Sequence, residues 1–105
     1  MSTITPKTEA RATILKAMAH PARLFMLEEL AKCERCVCEL HEMVGSDLST
    51  VSKHLSILRN VGLVETDRRG TQVFYRLTAP CVLDFVNCVD AVVRLRANRT
   101  LEALK

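Results

Sequence analysis

Tryptophan is absent and aromatic residues are scarce, with one Tyr and three Phe in 105 residues. At 49% hydrophobic content, any interior must therefore be built from Leu, Val, Ile, Ala and Met. Glycine and proline number three each, too few for a collagen-like, loop-rich or low-complexity chain. No apolar run reaches the roughly 18 residues of a membrane-spanning helix. The polar stretch Met1 to Thr8 holds no signal-like hydrophobic segment, so the expected location is cytoplasmic, with no membrane partner. These absences favour one small domain, residues 1–105, made chiefly of helices packed through aliphatic side chains.

Cysteine, in contrast, is plentiful: Cys33, Cys36, Cys38, Cys81 and Cys88. The number is odd and the expected compartment is reducing, which argues for free thiols used in ligation or redox chemistry rather than a disulfide framework. The net charge of +3 is unevenly spread. Between residues 48 and 76, Lys53, Arg59, Arg68, Arg69 and Arg76 face only Glu65 and Asp67, whereas residues 7–42 are balanced. A positive middle segment is a surface suited to a polyanion.

Apolar periodicity predicts a helix over Thr8–Ala19 and a second from Pro21 to about Ala31, with the proline in its first turn. Lys32 to Arg35 reads as a connection. A third helix fits Val37–Val44, with Leu40, Met43 and Val44 inward and Gly45 as a left-handed cap. Asp47 is placed to cap a fourth helix whose Leu48, Val51, Leu55 and Leu58 form one apolar stripe. Ser49, Lys53, Ser56 and Asn60 lie opposite that stripe, with Thr50 between them and His54. Gly62 ends the helix. Leu63–Asp67 and Gln72–Leu77 alternate like strands, and Arg68-Arg69-Gly70-Thr71 is expected to join them as the tip of a hairpin. Pro80 opens a last helix to about Arg96, apolar over more than half its circumference. So small a domain cannot bury that surface alone, and a homodimer is expected.

Two helices around a Gly-containing turn followed by an arginine-bearing hairpin make a helix-turn-helix (about 37–60) with a wing (about 63–77). The segments LKAMAHPARLFMLEEL, DLSTVSKHLSILRNVGLVETDRRGTQVFYRL and CVCEL resemble the ArsR/SmtB family of metal- and metalloid-responsive repressors, over roughly residues 10–95. The resemblance implies a mainly α fold with a small β-hairpin: a homodimeric winged helix-turn-helix of four helices, two strands and a fifth, dimerising helix (about 80–96). It also implies repression by occupation of double-stranded operator DNA. Ser49, Thr50, Ser52, Lys53 and His54 match the family's recognition-helix positions, and Arg68, Arg69 and Gln72 belong to the wing. His54 also reads as a packing residue, Ser52 as a flanking one, and the two arginines as solvated turn residues.

CVCEL resembles the thiol motif of the arsenic-responsive branch. Trivalent arsenic or antimony prefers three thiolates, and Cys33, Cys36 and Cys38 are the candidate set. The branch pattern places a further cysteine where this chain has His41. Cys33, Cys36, Cys38 and His41 also suit a Cys3His zinc site, and cadmium or lead suits the same thiolates. A thiol redox or reactive-sulfur sensor on the same scaffold is a further reading. Inside an ideal helix Cys36 and Cys38 would diverge by about 200°, so shared ligation is expected to unwind the first turn of the third helix. Cys81 and Cys88 read as small apolar residues at the dimer seam. His20, His41 and His54 fall in separate elements with no nucleophile elbow or phosphate loop, so no enzyme and no organic cofactor are expected.

Overall fold

The computed structural model describes residues 3–105. Five helices and three strands follow one another: α1 Pro6–Met18, α2 Pro21–Lys32, β1 Arg35–Cys36, α3 Val37–Val44, α4 Leu48–Asn60, β2 Val64–Arg69, β3 Gln72–Leu77 and α5 Val82–Ala103. Local chemistry fixes most boundaries. Thr5 caps α1, His20 caps α2 through its ring nitrogen, and Pro6 and Pro21 sit where a helix needs no N–H. Asp47 accepts from the Thr50 amide at 2.8 Å and caps α4. Gly45 ends α3 at φ +77°, left-handed as its position predicts.

The interior is aliphatic. Met26, Leu27, Leu40, Val51, Leu55 and Leu58 are fully buried where α2, α3 and α4 meet, and Ala17, Met18, Leu30, Leu63 and Val64 extend this core. Two expected core residues are not there: Leu48 is 52% exposed and Met43 42% exposed. Leu48 is the first residue of α4, before the helix comes down onto the core, and Met43 faces a surface groove with His20, Pro21 and Phe25.

The sheet departs from a simple hairpin. Its order is β1-β3-β2, all antiparallel, with Arg35 opposite Tyr75 and Cys36 opposite Phe74. The segment expected to be a bare connection thus contributes an edge strand to the wing. The hairpin is also longer than predicted. Arg68 pairs with Val73 and Arg69 with Gln72, so only Gly70 and Thr71 form the turn, Gly70 at φ +63°. Both arginines lie on the strand, not in the tip: the ladder holds both, and ion pairs to Glu34 and Asp67 hold Arg69 as well. The last helix begins at Val82 rather than Pro80 and runs to Ala103, beyond the predicted end. Within the single chain it buries none of its residues. Among the described residues, no helix is long and apolar enough to cross a membrane.

Candidate nucleic-acid interface and thiol site

α4 presents Ser49, Ser52, Lys53, Ser56 and Asn60 to solvent while Val51, Leu55 and Leu58 are at 0% exposure on its other side. At 100° per residue the exposed set spans about 100° of arc, a narrow polar face with one cation. The Ser49 hydroxyl donates to Asp47 Oδ1 at 2.8 Å, and Thr50 is half-buried above the same cap. Asp47 titrates below the usual carboxylate range, held there first by the Thr50 amide and then by the Ser49 hydroxyl. Lys53 has no hydrogen bond or ion pair to another described residue, so its ammonium projects freely from the helix. Small donors and one cation on a rigid helix, beside a β-ribbon, are the groups that read base edges in a major groove.

His54 stands apart from this face. Its ring is half-buried, 3.1 Å from Arg23 Nη1 and 4.3 Å from the His20 ring centroid, so it joins α4 to the α1–α2 junction. Burial first, then the neighbouring His20 and Arg23, lower its pKa. Of the residues expected to contact DNA, His54 is the one whose ring is engaged within the protein, which favours the packing role that the sequence also allows.

The wing arginines divide. Arg68 is exposed and makes no ion pair among the described residues. Arg69 donates to both carboxylate oxygens of Glu34, to Asp67 Oδ2 at 3.0 Å, and lies 4.6 Å over the Phe74 ring. The two arginines, expected together at the tip, thus have different surroundings. Gln72, opposite Arg69, is exposed. Glu34 and Asp67 carry no sequence signal of their own. The ladder register that turns Arg69 toward Glu34, 35 positions away, leaves no local pattern.

The thiol segment is anchored on both sides. Arg35 bonds Glu29 Oε2 at 3.0 Å and the Glu29 carbonyl at 3.4 Å, and pairs with Glu39 at 3.5 Å. Glu29 is itself nearly buried, and its bond from Lys32, ahead of the charge of Arg35, lowers its pKa. Cys36 is the N-cap of α3: its backbone is extended (φ −78°, ψ 160°), its sulfur accepts from the Glu39 amide, and the Glu39 carboxylate accepts from its own amide. Lying outside the helix, Cys36 meets Cys38 without any unwinding, and the two are joined as a disulfide with Cα atoms 5.4 Å apart. One expectation is corrected here, the free state of this thiol pair. Cys33, the C-cap of α2, is exposed and unbonded. Among the described residues, no group of three or more His, Cys, Asp or Glu converges as metal ligands, so the structure does not bring Cys33 or His41 together with the pair. Cys36 and Cys38 supply two of the three sulfurs that trivalent arsenic prefers, and Cys33 has to move to supply a third. Cys81 precedes the first residue of α5 without a capping hydrogen bond from its side chain, and both it and Cys88 are exposed in the single chain.

The helix-turn-helix, the paired hairpin and the long outer helix define a winged-helix DNA-binding regulator. A family profile for bacterial regulatory proteins of the arsR family matches residues 20–66. The chain is 40% identical over 81 residues to the biofilm growth-associated repressor of Xylella fastidiosa (strain Temecula1), covering 77% of this chain and 71% of that protein. Among solved structures, Rv0081 of M. tuberculosis aligns with a TM-score of 0.79 at 33% identity, over 91% of this chain and 98% of the other. The homodimeric winged helix-turn-helix DNA-binding domain Mb0332 of Mycobacterium bovis aligns at 0.72 and 32% identity, over 90% and 91%. This chain belongs to the ArsR family. It is a transcriptional repressor of that family and not an enzyme.

Proposed function

We propose that the protein acts in the cytoplasm as a homodimer on double-stranded operator DNA, and that it releases the operator when Cys36 and Cys38 are drawn together. The observation carrying this reading is the adjacency of the two sulfurs at the cap of α3, the helix that precedes the recognition helix α4. Ser49, Ser52 and Lys53 of α4, with Thr50 at its capped start, read the operator, while Arg68 and Gln72 serve the wing. The inducer is a thiophilic ion, trivalent arsenic or antimony first, with cadmium, lead or zinc as further candidates, bound by Cys36, Cys38 and a repositioned Cys33. Soft ions bind as thiolate complexes, so ligation releases thiol protons.

A second reading is favoured by the Cys36–Cys38 bond itself: oxidation or reactive sulfur closes the same pair without an ion. Dimerisation is supported by the exposed apolar side chains of α5, among them Phe85, Val89, Val92 and Val93, and by the homodimeric Mb0332 domain. Phe85, Val86 and Val89 border an apolar cleft of about 200 Å³ against Leu15, Met18 and Leu24. The test is a release titration of the DNA complex with arsenite, cadmium, zinc, peroxide and persulfide. Release by arsenite at stoichiometric amounts supports the ion reading, and release by peroxide or persulfide alone supports the second. No release by any of them refutes both.

A further inference from the structure

The wing is less cationic than its two arginines suggest. All three guanidinium nitrogens of Arg69 are engaged by carboxylates, Nη1 and Nη2 by Glu34 at 2.6 and 2.9 Å and Nε by Asp67 at 3.0 Å. Two carboxylates around one guanidinium give that cluster a net negative charge and cancel the contribution of the free Arg68 beside it. A DNA phosphate arriving there competes with Glu34 and Asp67 for a guanidinium whose hydrogen-bonding nitrogens are already engaged. Arg69 holds the Glu34 carboxyl below the usual range, so the competing charge is present at neutral pH.

The position of Glu34 matters as much as its charge. It lies in the short connection between Cys33 and β1, and β1 places Cys36 opposite Phe74, the ring over which Arg69 lies. The thiol, the acid and the platform beneath the arginine therefore belong to one small corner of the sheet. An exposed ion pair is worth little, on the order of 0–1 kcal/mol, so a small displacement of the connection is enough to release it. Phosphate is a strong bidentate partner for a freed guanidinium.

We propose that Glu34 masks Arg69 from DNA, and that the mask is set by the thiol pair. With Cys36 and Cys38 joined, the connection holds Glu34 on Arg69. With the pair open, Glu34 swings away and Arg69 takes a phosphate. The coupling rests on the reading of the protein as a thiol-responsive repressor, and it adds the wing to α4 as an output of the switch. When hydrogen peroxide closes the pair, the two thiols give up two protons and two electrons. The S–S bond forms as the O–O bond breaks, and two waters leave.

The probe is a duplex enriched from a random-sequence library by the full-length protein in dithiothreitol. Affinity is then measured against salt concentration with the protein reduced and after hydrogen peroxide treatment. Oxidised wild type binds more weakly and with a flatter salt dependence. Oxidised Glu34→Gln binds roughly tenfold tighter than oxidised wild type, with a log–log salt slope steeper by about one unit per wing. Glu34→Asp, which keeps the charge, remains closer to wild type, and Glu34→Gln combined with Arg69→Ala loses the gain. If wild type switches and Glu34→Gln switches alike, or if the gain survives without Arg69, the masking is refuted on its own. A wild type that enriches no duplex overturns the repressor reading, whereas one that binds equally in both states overturns oxidative closure as a trigger and this coupling with it, leaving the ion reading to the arsenite titration.

Discussion

Arg23 and His54 meet across 31 positions of sequence, with Nη1 of the arginine 3.1 Å from Nδ1 of the histidine. A guanidinium only donates, so Nδ1 accepts and the proton of the neutral ring sits on Nε2. The same guanidinium donates through Nε to the Ala17 carbonyl at 2.6 Å. His20 accepts from the Ala22 amide through its own Nδ1 at 3.0 Å. The recognition helix is thus tied to the α1–α2 junction by two imidazoles, each used as an acceptor at Nδ1.

Acid should loosen this tie. The His54 pKa is lowered by burial, then by His20 and Arg23, so the folded chain resists a proton that the unfolded chain accepts. The stability it contributes is complete above the ordinary histidine value of about 6.5 and is lost as pH falls from there toward the lower folded-state value. Thermal melts followed by circular dichroism should show a midpoint that declines in this window, and His54→Gln should flatten the decline. Glu29, Glu34 and Asp47 have lowered values, so their contribution is lost in a separate, more acidic window below the usual carboxylate range. An identical pH profile in His54→Gln would place the titrating group elsewhere.

Lys53→Ala and Arg68→Ala should fail in different ways. Lys53 projects from the polar face of α4, and its loss should erode discrimination between sequences by about 1–3 kcal/mol if it reads a base. Arg68 projects from the wing strand, and its loss should weaken binding to every sequence. The salt slope should flatten by about 0.9 for each phosphate that is no longer neutralised. Titrations against a selected and a scrambled duplex at several salt concentrations separate the two. Equal losses on both duplexes in Lys53→Ala would remove that lysine from base reading.

Phe85→Glu should dissociate the dimer. Phe85 is 50% exposed in the single chain and sits among Val86, Val89 and Leu15 at the apolar cleft. Burying such a side chain stabilises by roughly 1.5–3 kcal/mol, counted twice across a symmetric interface, and a carboxylate there reverses the sign. Sedimentation should show a wild-type dimer and a variant monomer with lost DNA affinity. A monomeric wild type at micromolar concentration would exclude dimerisation through α5.

Helical parts of this fold are legible in the sequence because their signals are local. Pro21, Gly45, Asp47 and the Val51–Leu55–Leu58 stripe each act within a few residues, and each does in space what its spacing predicts. What the sequence hides is long-range. The pairing of Arg35 and Cys36 with β3 joins segments nearly 40 residues apart, and a two-residue strand has no periodicity to read. The capture of Arg69 by Glu34 and of His54 by Arg23 likewise depends on tertiary placement. The thiol pair departs from expectation for a subtler reason: the residue before the first helical position has extended backbone, so the 100° rule does not apply to Cys36.

That last point makes serine the clean replacement at position 36. Serine is a favoured N-cap, so Cys36→Ser preserves the bond from the Glu39 amide, whereas Cys36→Ala forfeits it at a cost of about 1 kcal/mol. Cys36→Ser and Cys38→Ser should therefore fold and bind DNA as the reduced wild type does, yet ignore arsenite. Both should lack the ultraviolet charge-transfer band of a thiolate–arsenic complex. Cys33→Ser discriminates between the two triggers. A three-thiolate arsenic site needs Cys33 to move in, so its removal should blunt release by arsenite while leaving release by peroxide intact, since the bond between Cys36 and Cys38 forms without it. Loss of both responses in Cys33→Ser would mean that Cys33 takes part in oxidation as well. If the Cys36→Ser/Cys38→Ser double variant still releases DNA on arsenite addition, the sensing thiols are elsewhere, and Cys81 and Cys88 on the exposed surface of the α5 region become the site to test.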